Sequence, residues 1–131
     1  MGAPTVQPFF FDLTPEERDE ALSLMREVLE SGRLVLGPKV EAFEEEFAAA
    51  TGVKHAVATN SGTSALEILL RIKGVEGRPV AVPTNTNFAT VASVIHAGGR
   101  PVFLDMDPST YMPTLSMLQE AHERESLAGA V

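Results

Sequence analysis

The sequence predicts an α/β domain built around a mainly parallel β-sheet. Two observations indicate this fold class. From Val53 onward, short apolar or β-branched runs alternate with longer segments whose apolar residues recur at helical spacing. Glycine residues follow several of the helical segments, where they are typical helix ends. Alternation of this kind is typical of parallel sheets, because each parallel strand needs a crossover connection, usually a helix.

The first part of the chain is predicted to be helical. Residues 1–13 are expected to form an irregular N-terminal arm, docked either on the core or against another subunit. Thr14 is a helix cap in a capping box with Glu17, and this helix is expected to end at Gly32. A second helix should run from Pro38 to Gly52.

The remaining elements alternate as the fold class requires. Strands are predicted at 54–59, 80–82 and 101–105, helices at 63–73, 88–97 and 115–124, and a further strand is predicted to begin at 129–131. Because the sequence stops within that last predicted strand, we expect residues 14–131 to be the N-terminal part of a larger domain.

Composition narrows the possible functions. The chain has 18 acidic and 10 basic residues and a net charge of −8, which disfavours general binding of nucleic acid. It has no cysteine, which excludes disulfides, thiolate metal sites and thiol nucleophiles. No signal peptide or membrane-spanning run of about 20 apolar residues is recognisable, so a soluble, cytoplasmic protein is expected. The acidic run at 44–46 is interpreted as a solvated face, and no metal site is predicted.

Polar loops follow the predicted strands at the edge of the sheet where ligands bind. The segment Asn60-Ser61-Gly62-Thr63-Ser64 leads from a strand directly into a helix, and its backbone N–H groups and hydroxyls suit a phosphate. The plainer alternative is a helix cap alone. The loops at 60–64 and 83–88 contain no lysine, arginine, glutamate, aspartate or histidine, so no catalytic acid or base is assigned. Asp107 is interpreted as part of a turn.

Four motifs in order resemble the N-terminal part of the DegT/DnrJ/EryC1/StrS family of enzymes that depend on pyridoxal 5′-phosphate (PLP). The motifs are Gly37-Pro38-Lys39-Val40-Glu41-Ala42-Phe43-Glu44, Asn60-Ser61-Gly62-Thr63-Ser64-Ala65-Leu66, the segment 82–90 and the segment 96–107. The resemblance implies a fold type I large domain, a three-layer structure with a mainly parallel sheet. It also implies a homodimer that transfers an amino group, commonly from glutamate, to a nucleotide-linked keto-sugar.

The resemblance also implies roles for four residues. Gly62, Thr63 and Ser64 match the family's phosphate cradle. Asn87 stands where the family usually has an aromatic residue stacked on the pyridine ring, and Phe88, one position later, is the alternative residue at the ring. Capping of the following helix is the alternative role for Asn87. The chain's three lysines, Lys39, Lys54 and Lys73, do not match the family's Schiff-base lysine, so the 131-residue chain alone is expected to be inactive.

Other functions stay open from the sequence. A PLP-dependent sugar dehydratase of the same family is the alternative chemistry, and a non-catalytic fragment or dimerisation piece is the alternative outside enzymes. A dinucleotide-binding domain is disfavoured, because no Gly-x-Gly-x-x-Gly follows the first predicted strand. The sugar and the nucleotide are not specified by the sequence.

Overall fold

A computed structural model of the chain describes residues 12–131. Most of the predicted arm at 1–13 therefore lies outside the described residues. The described chain divides after Ala58 into two compact units. The assignment of residues 14–131 to a single larger domain stays a prediction.

The first unit contains two helices, α1 (Pro15–Ser31) and α2 (Pro38–Thr51). The predicted capping box is confirmed: Thr14 Oγ1 accepts a hydrogen bond from the Glu17 N–H (3.2 Å), and the Glu17 carboxylate accepts one from the Thr14 N–H (2.8 Å). Gly32 ends α1 in the left-handed region at φ +67°, as its glycine predicts.

The apolar side of α1 remains exposed. Leu22, Met25 and Leu29 retain 62%, 61% and 70% of their accessible surface. In the sequence these apolar residues recur at helical spacing, so they lie on one side of the helix. Contiguous apolar exposure on one helix is typical of surfaces that contact another part of an assembly.

Residues 54–59 do not form the predicted strand, and this prediction was wrong. The segment is irregular, and Val57 is 80% exposed. Within the described residues no strand pairs with it, and the Ala58 N–H donates instead to a carboxylate oxygen of Glu44 in α2 (2.7 Å). A β-branched sequence favours a strand only where a neighbouring strand accepts its backbone hydrogen bonds.

The second unit is a three-stranded parallel sheet with helices on both faces. Its helices are α3 (Gly62–Ile72), α4 (Phe88–His96) and α5 (Leu115–Glu125), and its strands are β1 (Pro79–Pro83), β2 (Arg100–Leu104) and β3 (Gly129–Ala130). The strand order is β2-β1-β3, with Ala81 opposite Val102 in β2 and Ala130 in β3. The predicted fold class, an α/β arrangement with a parallel sheet, is confirmed.

Successive side chains of β1 point to opposite faces of the sheet and contact different helices. Val80 and Val82 pack with Leu70 of α3 and Val94 of α4, whereas Ala81 packs on the other face with residues of β2 and α5. Connections β1-α4-β2 and β2-α5-β3 cross the sheet in opposite directions. With a common right-handed sense, they must therefore place α4 and α5 on opposite faces.

Helices α3 and α4 start at the same edge of the sheet. The connection after α3 meets the end of α4, where the Gly77 N–H donates to the Gly98 carbonyl (2.8 Å). Because α4 begins at the carboxyl end of β1, the first turns of both helices lie toward that edge. Among the helices of residues 12–131, none is long and apolar enough to span a bilayer.

Candidate functional site

The first turn of α3 is a capped helix end with unused hydrogen-bond donors. Ser61 is the N-cap, and its Oγ accepts a hydrogen bond from the Ser64 N–H (3.1 Å). The same hydroxyl lies 3.1 Å from Ser64 Oγ, to which it donates. Within the described part of the chain, the N–H groups of Gly62 and Thr63 meet no protein acceptor. Ser61 therefore caps the helix, and the amides of Gly62 and Thr63 remain available to bind a ligand.

The space above this turn is open. A Cβ added to Gly62 would meet nothing within 4 Å, and Ser61 and Gly62 are exposed to solvent. The N-terminal end of a helix carries a partial positive charge, equivalent to about half an elementary charge. Free amides, adjacent hydroxyls and this dipole form a donor set that suits an anion without help from lysine or arginine.

The loop after β1 leads into the first turn of α4. Asn87 caps this helix, since its Oδ1 accepts a hydrogen bond from the Ala89 N–H (2.9 Å). Phe88, the next residue, is 82% exposed. The capping role considered from the sequence is thus observed, and a contact between Asn87 and a cofactor ring stays a prediction.

The loop after β2 is a tight turn organised by Asp107. Its Oδ1 accepts hydrogen bonds from the Ser109 hydroxyl, the Ser109 N–H (2.7 Å) and the Thr110 N–H (3.2 Å). These bonds, led by that of the Ser109 side chain, hold the pKa of Asp107 below its ordinary value because they favour the ionised carboxylate. The turn interpretation of Asp107 is confirmed.

Hydrogen bonds join the loops at this edge. The Thr84 N–H donates to the Leu104 carbonyl (3.0 Å), and the Asn85 side-chain amide donates to the Tyr111 carbonyl (3.0 Å). Tyr111 adopts a positive φ of 58°, which is uncommon for a residue with a side chain. The Asn85 contact therefore ties the loop after β1 to a constrained point of the loop after β2.

Ser93 is a site residue that the sequence analysis did not identify. It lies in α4, is completely buried, and places its Oγ 3.1 Å from the Thr63 carbonyl of α3 and 2.7 Å from the Ala89 carbonyl. The available signal was a lone serine within an apolar helix. A buried hydroxyl must find a partner, and here one partner belongs to the turn that carries the free amides.

Groups of at least three histidine, aspartate or glutamate side chains that could hold a metal do not occur among residues 12–131. The polar groups at this edge are mostly neutral donors and acceptors, with Asp105 and Asp107 as its carboxylates. The arrangement can bind and orient an anionic ligand. It does not by itself supply a base near the free amides.

Comparison with known proteins identifies the family. The sequence model of the DegT/DnrJ/EryC1/StrS aminotransferase family matches residues 15–129. The chain belongs to this family. The match begins at the first residue of α1 and ends within β3, so it spans both compact units of the described chain.

Individual family members show the same relationship. The spore coat polysaccharide biosynthesis protein SpsC of Bacillus subtilis (strain 168) is 48% identical over 92 residues, which are 70% of this chain and 24% of SpsC. The dTDP-3-amino-3,4,6-trideoxy-α-D-glucose transaminase of Streptomyces venezuelae is 41% identical over 120 residues, which are 88% of this chain and 31% of the transaminase. The chain thus spans between 24% and 31% of the length of these two relatives.

Solved structures of related proteins have the same fold. NtdA of Bacillus subtilis, solved with the bound cofactor PMP, matches with a TM-score of 0.75 and 33% identity over 83% of this chain and 25% of NtdA. A DegT/DnrJ/EryC1/StrS aminotransferase from Brucella abortus matches with a TM-score of 0.74 and 32% identity over 86% of this chain and 32% of that protein. The predicted resemblance and fold class are therefore confirmed.

The residues of this chain fit the phosphate end of such a cofactor. The chemistry of the donor set decides this: two free amides and the hydroxyls of Thr63 and Ser64 stand at a helix N-terminus with open space beside Gly62. Direct contact of Gly62, Thr63, Ser64 or Asn87 with a cofactor stays a prediction.

Proposed function

We propose that the chain is the N-terminal part of a PLP-dependent aminotransferase that acts on a nucleotide-linked keto-sugar. One observation carries the proposal. This chain, which belongs to the family, has free backbone amides in the first turn of α3, at the edge of the sheet where ligands bind in parallel α/β folds. The names of the relatives suggest the substrate class, since they include a dTDP-amino-sugar transaminase.

The proposed roles of residues 62–64 follow from local chemistry, and that of Asn87 follows from its position in the family's motif. The N–H groups of Gly62 and Thr63, with the hydroxyls of Thr63 and Ser64, hold the phosphate. Asn87 lies at the ring position, where a side-chain amide offers less apolar area than an aromatic residue. PLP, when bound, supplies an electron sink for chemistry at the substrate amine carbon. The chain's contribution is to bind and orient, and no proton transfer is assigned to the residues of these loops.

Several finer features belong to the same proposal. Glutamate is the proposed amino donor, and the protein is proposed to be a cytoplasmic homodimer. The exposed apolar side chains of α1 support self-association, because surfaces of this kind are commonly covered in assemblies. The net charge of −8 supports the view that nucleic acid is not a partner.

The test is an isotope-transfer assay with the complete enzyme, loaded with PLP. The enzyme is incubated with ¹⁵N-glutamate and a set of UDP- and dTDP-linked keto-sugars, and the products are identified by mass spectrometry. Transfer of ¹⁵N to the sugar is the expected result. Loss of water from the sugar without nitrogen transfer would assign the protein to dehydration instead. The absence of both reactions with every sugar would support a non-catalytic role.

A further inference from the structure

Ser93 is the only completely buried polar side chain among the described residues. It lies in α4, next to the buried Val94, and its hydroxyl contacts two carbonyl oxygens. Because it is fully buried, Ser93 cannot reach an anion bound at the exposed first turn of α3. Any effect it has on such an anion must pass through a neighbouring residue.

The Ser93 hydroxyl makes one contact within its own helix and one with a different helix. The contact with the Ala89 carbonyl (2.7 Å) lies one turn earlier in the same helix and would satisfy any helical serine. The contact with the Thr63 carbonyl (3.1 Å) joins residues 30 positions apart in the sequence. A serine hydroxyl has one hydrogen, so it divides its donation between the two carbonyls.

The Thr63 contact ties together the two parts of the proposed site. Thr63 lies in the turn whose amides are proposed to bind a phosphate. Ala89, whose carbonyl accepts a hydrogen bond from the Ser93 hydroxyl, lies two residues after Asn87, the cap of α4. Both carbonyls are within hydrogen-bond distance of one oxygen atom. At the first turn of α3, a single buried side chain therefore joins the phosphate turn to α4, while apolar packing of Leu70 against Val94 holds the two helices together further along.

We propose that Ser93 is a positioning residue, which holds the first turn of α3 against α4 and so sets the geometry of the phosphate donors. The inference rests on the proposed function of this turn. A cofactor has a fixed distance between its phosphate and its ring, so donors at 62–64 must keep their place relative to position 87. Hydrogen bonds to an anion weaken steeply when distance and angle depart from their optimum.

The test compares variants of the complete protein in titrations with pyridoxine 5′-phosphate, which carries the phosphate but no aldehyde. Ser93→Ala removes the hydroxyl and nearly keeps the volume. It is expected to weaken binding about 3- to 10-fold, the loss that corresponds to one ordinary hydrogen bond. Ser93→Thr keeps the hydroxyl and is expected to restore affinity. Ser116→Ala, a hydroxyl removal at the exposed start of α5, is the matched control and should leave affinity unchanged.

Two further measurements separate positioning from general stabilisation. Pyridoxine, which lacks the phosphate, should bind Ser93→Ala and the wild type equally, whereas a loosened fold would weaken both ligands. In a Thr63→Val background, Ser93→Ala should cost less affinity than it does alone, because the two residues act on the same turn. This coupling decides the question even if the extra methyl of Ser93→Thr disturbs the core.

The outcomes distinguish the two proposals. If Thr63→Val weakens pyridoxine 5′-phosphate binding but Ser93→Ala does not, the positioning role is overturned and the phosphate site stands. Equal losses for pyridoxine and its phosphate in Ser93→Ala, or full additivity with Thr63→Val, would also overturn it. If pyridoxine 5′-phosphate binds the wild type no more tightly than pyridoxine does, the phosphate contributes nothing, so the proposed phosphate site itself fails and the inference fails with it.

Discussion

At the residue scale, Thr63 connects the structure of the site to its proposed use. Its carbonyl is held by Ser93, while its N–H has no acceptor among the described residues. The backbone of one residue is thus fixed on one side and available on the other. Preorganised donors of this kind bind an anion without first having to be ordered.

Removing the Thr63 hydroxyl tests the phosphate site. In the complete enzyme, Thr63→Val keeps the shape of the side chain and loses one charge-assisted hydrogen bond, worth about 1.5 to 3 kcal/mol. Cofactor affinity is expected to fall about 10- to 100-fold in equilibrium dialysis. Thr51→Val is the control, because Thr51 bonds only within α2, to the Phe47 carbonyl. Unchanged affinity in Thr63→Val would show that the Thr63 hydroxyl does not bind the phosphate.

A substitution of Asn87 separates its observed role as a helix cap from its proposed contact with the cofactor ring. The observed cap predicts that Asn87→Tyr loses about 0.5 to 2 kcal/mol of stability without cofactor. If position 87 also faces the ring, the new aromatic pair adds about 0.5 to 1.5 kcal/mol to cofactor binding. Melting temperatures with and without PLP measure both effects. A drop of equal size in the two conditions would leave Asn87 as a cap only, and Asn87→Ser, which can keep the cap, should change neither.

At the scale of elements, the turn after β2 depends on an ionised carboxylate. Hydrogen bonds from Ser109 and Thr110 lower the Asp107 pKa below its ordinary value of 3.8. A carboxyl group with a lowered pKa in the folded state stabilises the fold above its ordinary pKa, and this contribution is lost as the pH falls through the folded value. The turn that meets Asn85 should therefore weaken in acid.

Urea unfolding of Asp107→Asn checks this dependence. The variant keeps a side-chain acceptor but loses the charge, so it should be less stable than the wild type at about pH 7. The difference should shrink when the pH is taken from about 7 to well below the ordinary value of 3.8, as the wild-type carboxyl becomes protonated. Ser109→Ala removes the leading donor and should reproduce part of the effect. A difference that stays constant between the two pH values would contradict the assigned cause.

Local signals predicted most elements of the fold. The capping box at Thr14, the glycine at position 32 and the periodicity of α4 each act within a few residues, so the sequence contains the information. The strand at 54–59 failed because pairing is a non-local property, and the Ala58 N–H meets Glu44 instead. Ser93 was missed for a similar reason, since its partner Thr63 comes from another helix.

At the scale of the whole molecule, the chain spans only part of the length of its relatives, and several of its large apolar side chains are exposed. It spans 24% of SpsC and 31% of the Streptomyces venezuelae transaminase. Val57 and Leu29, both in the first unit, are 80% and 70% exposed. Burial of such side chains is favourable by about 1.5 to 3 kcal/mol each, so contacts beyond the described residues are expected to cover them.

The distribution of lysines gives a prediction for the 131-residue chain. From the sequence we expect that none of its lysines, Lys39, Lys54 and Lys73, is the lysine that binds the cofactor covalently in the family. After mixing with PLP and reduction with borohydride, peptide mapping should find only scattered, substoichiometric labels. Exposed amines react with aldehydes in this way without a built site. A stoichiometric adduct at one of the three lysines would contradict the prediction.

The most direct test of the central claim follows the backbone amides of the first turn of α3. ¹⁵N-labelled protein is titrated with pyridoxine 5′-phosphate and, separately, with pyridoxine, and amide chemical shifts are recorded. We expect the amides of Gly62, Thr63 and Ser64 to shift the most and to saturate together with the phosphate compound, and to remain unshifted with pyridoxine. Saturable binding of the phosphate compound that leaves these three amides unshifted would show that the phosphate binds elsewhere.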